Sequence, residues 1–361
     1  MPINPSAKLN PNLFDQTKVE QKPTRLGFGQ GLVIAGEADK NVVALCADLT
    51  ESTQILPFKN KFPERFIQVG VAEQNLAGLA SGLAASGKVP FIASYGMFSP
   101  GRNWEQIRTT IAYNEVNVKI AIMHAGISVG PDGGTHQAIE DMAITRVMPK
   151  VAVINPCDYI EARKATIAAA QNPLATFLRF HREPTPVITT SESNFKIGQA
   201  EILFTPLENR QTSDLMSRAG SLTGFVPKDN EKADVVIIAC GPLVYRSLLV
   251  AHELEEQGLN IYVLNNHTIK PMDEKTIIEL AKIAGAVVTV EEHQIAGGMG
   301  SAVAEILAKN CPVPIEFIGV YDKFGQSGLQ DELLEYYGMG VKDIKEAVEK
   351  VIKRKSLATR C

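Results

Sequence analysis

The chain has no apolar run approaching the roughly 20 residues a membrane-spanning helix needs, so no membrane association is expected. Its first residues, MPINPSAKLNPNLFDQ, hold no charged segment followed by an apolar stretch, and no secretory signal is expected. Basic residues number 36 against 40 acidic ones and form no long block, which argues against nucleic acid as a partner. The five cysteines, Cys46, Cys157, Cys240, Cys311 and Cys361, lack CxxC or any other metal-ligand spacing. Each reads as a small buried hydrophobe in a reducing cytoplasm. GxSxG, HExxH and GxxxxGKS are absent, and GFGQG (27–31) lacks both the GxGxxG spacing and a preceding strand. A dinucleotide site there is excluded.

What is present is a regular α/β grammar. At 361 residues the chain is too long for one small core, so two domains are expected. In the first half, the apolar runs VVALCA (42–47), FIQVGV (66–71), PFIASY (90–95), VKIAIMHA (118–125), VAVINP (151–156) and ATFLRF (175–180) predict strands. Most are continuous rather than alternating, as in parallel strands covered on both faces. Helices are predicted between them at 24–38, 73–86, 101–113, 137–146 and 158–171. VVIIAC (235–240), NIYVLNN (260–266), AVVTVEE (286–292) and IEFIGV (315–320) repeat the pattern in the second half. The fold class is therefore α/β, with two mostly parallel sheets flanked by helices. The boundary falls near 190, giving domains 1–190 and 191–361. The polar, aperiodic stretch at 206–232 reads as an insertion in the second. The basic C-terminal run KDIKEAVEKVIKRKSLATRC reads as a solvated amphipathic helix.

In doubly wound sheets, ligands bind beyond the carboxyl ends of the strands. The polar residues of the first half gather at such ends: ADLTES (47–52), Glu73, Tyr95 and Phe98, His124, and then GISVGPDGGTHQ (126–137). Glu73 is the one acid in FIQVGVAEQNLAGLASGLAASG (66–87); spacing alone favours reading it as a first-turn acid that suits the helix dipole. PDGGTHQ is a glycine-rich turn that should deliver His136 to a helix start, with Asp132 as a second polar group; an ordinary capped turn is equally compatible. His124, at the end of an apolar strand, reads first as a satisfied core histidine. His136 and Glu140 stand four apart, yet no further ligand accompanies them, and no metal site is expected. AGGMGS (296–301) after a strand suits either an anion or tight packing at a helix start.

Taken in order, ADLTES, VGVAEQN with its small-residue helix, SYGMF, HAGISVGPDGGTHQ and VEEHQIAGGMG resemble the C-terminal half of transketolases. The resemblance runs from Thr24 to about Met339, leaving out 206–232. It implies a pyrimidine-binding domain followed by a transketolase C-terminal domain. The diphosphate-binding domain of the family has no counterpart here. The resemblance therefore implies a split enzyme whose N-terminal subunit is a separate chain. The complex is expected to be a two-fold assembly with two copies of each subunit (α₂β₂).

The resemblance also implies thiamine diphosphate as cofactor, with Mg2+ (or Ca2+) held by the partner subunit. Glu73 matches the glutamate that hydrogen-bonds the aminopyrimidine ring nitrogen and promotes removal of the thiazolium proton. Phe98 matches the residue that stacks on the aminopyrimidine, with Tyr95 nearby, and Asp48 the aspartate near the thiazolium. Asp132 and His136 match the pair around the reacting sugar carbons. Arg25, Ser52 and His124 fall on phosphate-binding positions, joined by Arg182 or Arg179, of which Arg182 is preferred. Pro100 and Gly101 stand where full-length transketolases carry a second aromatic, so Arg102 is expected to border the pyrimidine pocket. Gly78 and Gly82 should let another backbone approach closely. The implied reaction is two-carbon ketol transfer between a ketose phosphate and an aldose phosphate. The alternatives are 1-deoxyxylulose-5-phosphate synthase, the beta subunit of a 2-oxoacid dehydrogenase, and a non-catalytic partner-binding paralogue.

Overall fold

The continuous Val- and Ile-rich runs form the strands of two sheets. The computed structural model describes residues 3–206 and 232–358, so the expected insertion at 206–232 lies, apart from its ends, outside the described residues. The strands are β1 (Gln21–Lys22), β2 (Val42–Cys46), β3 (Phe66–Gln68), β4 (Val89–Tyr95), β5 (Lys119–Met123), β6 (Val151–Ile154) and β7 (Ala175–Arg179). They continue as β8 (Thr185–Pro186), β9 (Glu201–Phe204), β10 (Val235–Ala239), β11 (Ile261–Asn265), β12 (Thr268–Lys270), β13 (Val287–Gln294) and β14 (Ile315–Val320).

Apart from the antiparallel pair β1-β8, one sheet has the order β12-β6-β7-β5-β4-β2-β3, the other β14-β13-β10-β11-β9. Pairing is parallel throughout both, except where β12 joins β6 and β9 joins β11. Every residue of β2, β5, β6, β7, β10 and β11 is buried, which is why these runs do not alternate.

The expected boundary near 190 falls between β8 and β9, but two segments cross it. β12, from the second half, closes one edge of the first sheet. At the other end of the chain, Asn4 donates its N–H to Leu203 O at 2.9 Å. Ala7, Leu13 and Val19 then pack into the core beneath the second sheet. Burial of these apolar side chains, rather than chain order, assigns residues 3–19 to that core.

The helices Thr24–Ala38, Glu73–Ala85 and Tyr159–Gln171 occupy their expected places. The expected helix at 101–113 is narrower, running from Trp104 to Gln106 and continuing as a π-helical turn over Ile107–Ala112. The one expected at 137–146 is shortened to Asp141–Arg146. Gly126, Gly130 and Gly133 take φ of +82°, +77° and +74°, and His136 N–H is held by Gly133 O at 2.9 Å. His136 thus sits in a turn before the helix instead of opening it.

GFGQG lies inside the helix Thr24–Ala38. A methyl group on Gly27 would collide with the Tyr159 carbonyl, and one on Gly31 would stand 2.7 Å from Arg163 O. These glycines let two helix backbones meet.

AGGMGS departs from the anion reading. Glu291 Oε2 and Oε1 accept the N–H groups of Met299 and Gly300, both at 2.7 Å, at the start of the helix Met299–Asn310. An internal carboxylate takes the place an external anion would need. Burial pushes this Glu291 up to about 7. Among the described residues, no helix is long and apolar enough to cross a membrane.

Candidate functional site

Five neighbouring strands of the first sheet deliver side chains to one carboxyl edge. β2 leads to Asp48 and Ser52, β3 to Glu73, β4 ends at Tyr95 ahead of Phe98, β5 leads to His124, and β7 leads to Arg182. Parallel pairing is what puts all these ends on one side. Asp48 and His124 leave their strands with φ of +60° and +59°. Such values are uncommon outside glycine and mark the two turns as constrained by their surroundings. Asp48 N–H is held by Gln68 Oε1 at 2.8 Å, from the adjacent strand β3.

Glu73 is the first residue of its helix and only 3% exposed. Asn103 Nδ2 donates to its backbone oxygen at 3.0 Å, and Arg102 Nη1 reaches its Oε2 at 3.4 Å. The Arg102 guanidinium also lies over the Phe98 ring, 4.5 Å from its centroid. Arg102 thus lies against both Glu73 and Phe98.

The aromatic residues form one connected group. The centroids of Phe98 and Tyr95 are 6.0 Å apart, and the His136 ring meets Phe98 edge-on at 5.5 Å. Tyr95 packs on His124 with centroids 3.9 Å apart and donates its hydroxyl to Ser52 Oγ at 3.0 Å. Ser52 O in turn accepts from Arg25 Nη1 at 2.7 Å.

Arg25 Nε binds the Arg182 carbonyl at 3.1 Å, which brings two guanidinium groups to one place. Burial and then Arg182 lower the Arg25 pKa from its ordinary value. Burial, then Arg25, Arg182 and His136, lower His124 to about 3. His124 is therefore neutral at physiological pH, and its Nδ1 is buried without a hydrogen-bond partner among the described residues. Arg182 Nη1 donates to Val129 O at 2.9 Å and faces Asp132 Oδ1 at 3.5 Å, with Glu183 3.4 Å from its Nε.

The geometry separates the two arginines that sequence left open. Arg179 is fully buried, with Nε 2.7 Å from Asp141 Oδ2 and Nη2 bonded to Ala138 O and Glu292 O. Its donors are consumed by the protein. Arg182 is the one at the site.

Sequence reasoning missed the support that comes from the second domain. Glu292 Oε1 accepts the Ser128 N–H at 2.5 Å, and its Oε2 lies 3.3 Å from His181 Nδ1. Burial raises the Glu292 pKa, but His181, the Ser128 amide and Arg179 more than offset it, leaving it below its ordinary value. Gln137 Nε2 bridges Ile127 O and Gln326 O at 2.9 and 3.0 Å. The available signal was the pair of adjacent acids in VVTVEEHQ. On a strand they point to opposite faces, so Glu291 caps a helix while Glu292 holds the glycine-rich loop.

His136 and Glu140 do not come together. Glu140 lines a separate cleft of about 590 Å³ with Gln294, Tyr321 and Phe324. Gly78 and Gly82 face open space, with nothing among the described residues within 4 Å of an added methyl group. The backbone expected to approach them is not supplied by the described residues.

Two family models cover this architecture. Residues 20–187 match the transketolase pyrimidine binding domain and residues 224–344 the transketolase C-terminal domain. A transketolase C-terminal section of Methanocaldococcus jannaschii is 40% identical over 338 residues, spanning 92% of this chain and 97% of that protein. The chain belongs to the transketolase family. A 6-deoxy-6-sulfo-D-fructose transketolase subunit of a Clostridium species is 37% identical, over 94% of this chain and 98% of its own length. A solved structure described as a split gene transketolase in an inactive beta4 tetramer superposes with a TM-score of 0.79 at 37% identity. It covers 92% of this chain and 99% of that one. Human transketolase is 31% identical over 91% of this chain, which spans only 49% of the human protein. The transketolase resemblance and the two-domain α/β fold expected from sequence are therefore borne out.

Proposed function

We propose that this transketolase-family chain is the pyrimidine-side subunit of a split, thiamine diphosphate-dependent transketolase. It transfers a two-carbon ketol unit from a ketose phosphate to an aldose phosphate. The observation that carries the proposal is the buried Glu73 carboxylate beside the Phe98 ring, with His136 edge-on to that ring and Arg182 against Asp132. These residues fit the pyrimidine half of the cofactor: one acid for a ring nitrogen, one aromatic face, and a buried Asn103 Oδ1 that has no partner among the described residues. When bound, thiamine diphosphate supplies the nucleophilic carbon and electron sink that ketose cleavage requires.

The chain's own residues do the rest. Glu73 shares a proton with the pyrimidine ring nitrogen in surroundings that exclude water. Asp48 stands at the thiazolium side, and Tyr95 backs the aromatic wall. His136 and Asp132 orient sugar hydroxyls and exchange protons with them. Arg25 and Arg182 are like charges held together, so a phosphate relieves their repulsion. Ser52 and His124 complete that pocket, His124 as a neutral hydrogen-bonding group. Fixing the phosphate end supplies remote binding energy that positions the reacting end.

Mg2+ (or Ca2+) and the diphosphate are assigned to the N-terminal subunit. The open Gly78 and Gly82 face, with Val71 70% exposed at the foot of the same helix, fits contact with another chain in an α₂β₂ assembly. The buried free thiols of Cys46, Cys157 and Cys240 suit a reducing cytoplasm.

The test combines this chain with its N-terminal subunit, thiamine diphosphate and magnesium, and assays xylulose-5-phosphate with ribose-5-phosphate. Two-carbon transfer is expected. Pyruvate consumption in its place sinks the reading in favour of a deoxyxylulose phosphate synthase or oxoacid dehydrogenase. Relatives carry names for 6-deoxy-6-sulfo-D-fructose and apulose-4-phosphate transketolase subunits, so the donor panel includes both sugars. Glu73→Gln should lower turnover by roughly 10²- to 10⁴-fold while leaving assembly intact.

A further inference from the structure

Arg102 makes, within this chain, both contacts that the proposed function gives to the aminopyrimidine. Its guanidinium lies 4.5 Å from the Phe98 ring centroid, and its Nη1 lies 3.4 Å from Glu73 Oε2. A guanidinium is planar, delocalised and rich in N–H donors, so it can stack on an aromatic face while donating to a carboxylate. Two planar groups cannot hold the same face and the same oxygen together.

The backbone explains the reach. Arg102 N–H bonds to Phe98 O at 2.9 Å, a one-turn spacing that puts both side chains on one face. Next in the chain, Asn103 is buried and anchored by Nδ2 to Glu73 O at 3.0 Å and to Ser99 Oγ at 3.2 Å. The Arg102 backbone is thus pinned, whereas its side chain is 54% exposed and can swing into solvent.

We propose that Arg102 is an internal stand-in for the aminopyrimidine, holding Phe98 and Glu73 in their cofactor-binding arrangement and setting the rate of cofactor entry. The proposal rests on the thiamine reading above. A half-exposed ion pair and a surface cation–π contact are each weak. Arg102 therefore yields to the cofactor but reduces its apparent affinity by the fraction of chains in the closed arrangement.

The test is stopped-flow binding of thiamine diphosphate with magnesium to the assembled two-subunit complex. Trp104, the one tryptophan of this chain, lies two residues from Arg102 and donates its indole N–H to Ile144 O at 2.7 Å, which provides a local fluorescence signal. Arg102→Ala should raise the association rate about tenfold and lower Kd about as much, with dissociation unchanged. Arg102→Lys, which keeps the charge but loses the planar stack, should fall between them and carries the test if the alanine variant misfolds. Unchanged or slower association, or faster dissociation, in a wild-type complex that does bind the cofactor overturns this proposal alone. A wild-type complex that binds no thiamine diphosphate overturns the cofactor reading and this proposal with it.

Discussion

The phenol of Tyr95 donates to Ser52 Oγ at 3.0 Å, tying the end of β4 to the loop that follows β2. Because Ser52 O also accepts from Arg25, the bond couples the aromatic wall to the phosphate end of the site. Tyr95→Phe keeps the ring against His124 and removes only this tie. We expect KM for the phosphorylated acceptor to rise by roughly five- to tenfold with kcat little changed, as for one lost neutral hydrogen bond. Ser52→Ala should do the same, and the double variant no more; additive losses in steady-state kinetics would show that the two residues act separately.

The two arginines of LRFHREP should fail in different ways. Arg182→Ala removes a partly exposed cation from the site, and KM for a phosphorylated substrate should rise roughly 10- to 100-fold without loss of folding. Arg179→Met strands the Asp141 carboxylate in the interior. Breaking such a pair costs about 3–5 kcal/mol, so denaturant unfolding should shift strongly while Arg182→Ala unfolds like the wild type.

His124 sets an acid limit on stability. Its folded pKa is about 3 against an ordinary 6.5, because burial and then the nearby arginines disfavour the charged ring. Below pH 6.5 the unfolded chain takes up a proton that the folded chain refuses until about pH 3. Stability is therefore lost as pH falls through this window and is unaffected above it. His124→Gln should flatten the fall in melting temperature between pH 6.5 and pH 4 relative to wild type. An equally steep fall in the variant would contradict the assignment.

Gly27→Ala tests whether GFGQG serves packing. Its methyl group would press on the Tyr159 carbonyl and force apart two helices. Overpacking of this kind costs about 1–3 kcal/mol. Chemical denaturation should report that loss, and activity per folded molecule should be retained.

Much of this was legible in the sequence because it is local. The fully apolar runs from VVALCA to ATFLRF could only be strands covered on both faces, and in a parallel sheet their carboxyl ends gather on one edge. That logic brings Asp48, Glu73, Tyr95, His124 and the PDGGTHQ loop to one place. The short strands β1, β8, β9 and β12 were not legible as strands. Two to four residues carry too little periodicity, and pairing with distant partners alone makes them strands. His136 escaped its predicted helix start because positive φ at Gly130 and Gly133 prolongs the turn.

By itself, the sequence determined the α/β class, the positions of the long strands, and the placement of an acid at the head of a small-residue helix. These follow from apolar periodicity, which acts over a turn or a strand. Only the tertiary structure decided that Arg182 reaches the site while Arg179 is spent on Asp141. The same holds for Glu291, which fills the helix start that AGGMGS offers an anion, for residues 3–19, which pack beneath the second sheet, and for β12, which crosses into the first. It also decided that Arg102 lies between Phe98 and Glu73. Each of these depends on charges and hydrogen-bond groups brought together from far apart in the chain, where burial makes an unpaired charge or polar atom costly.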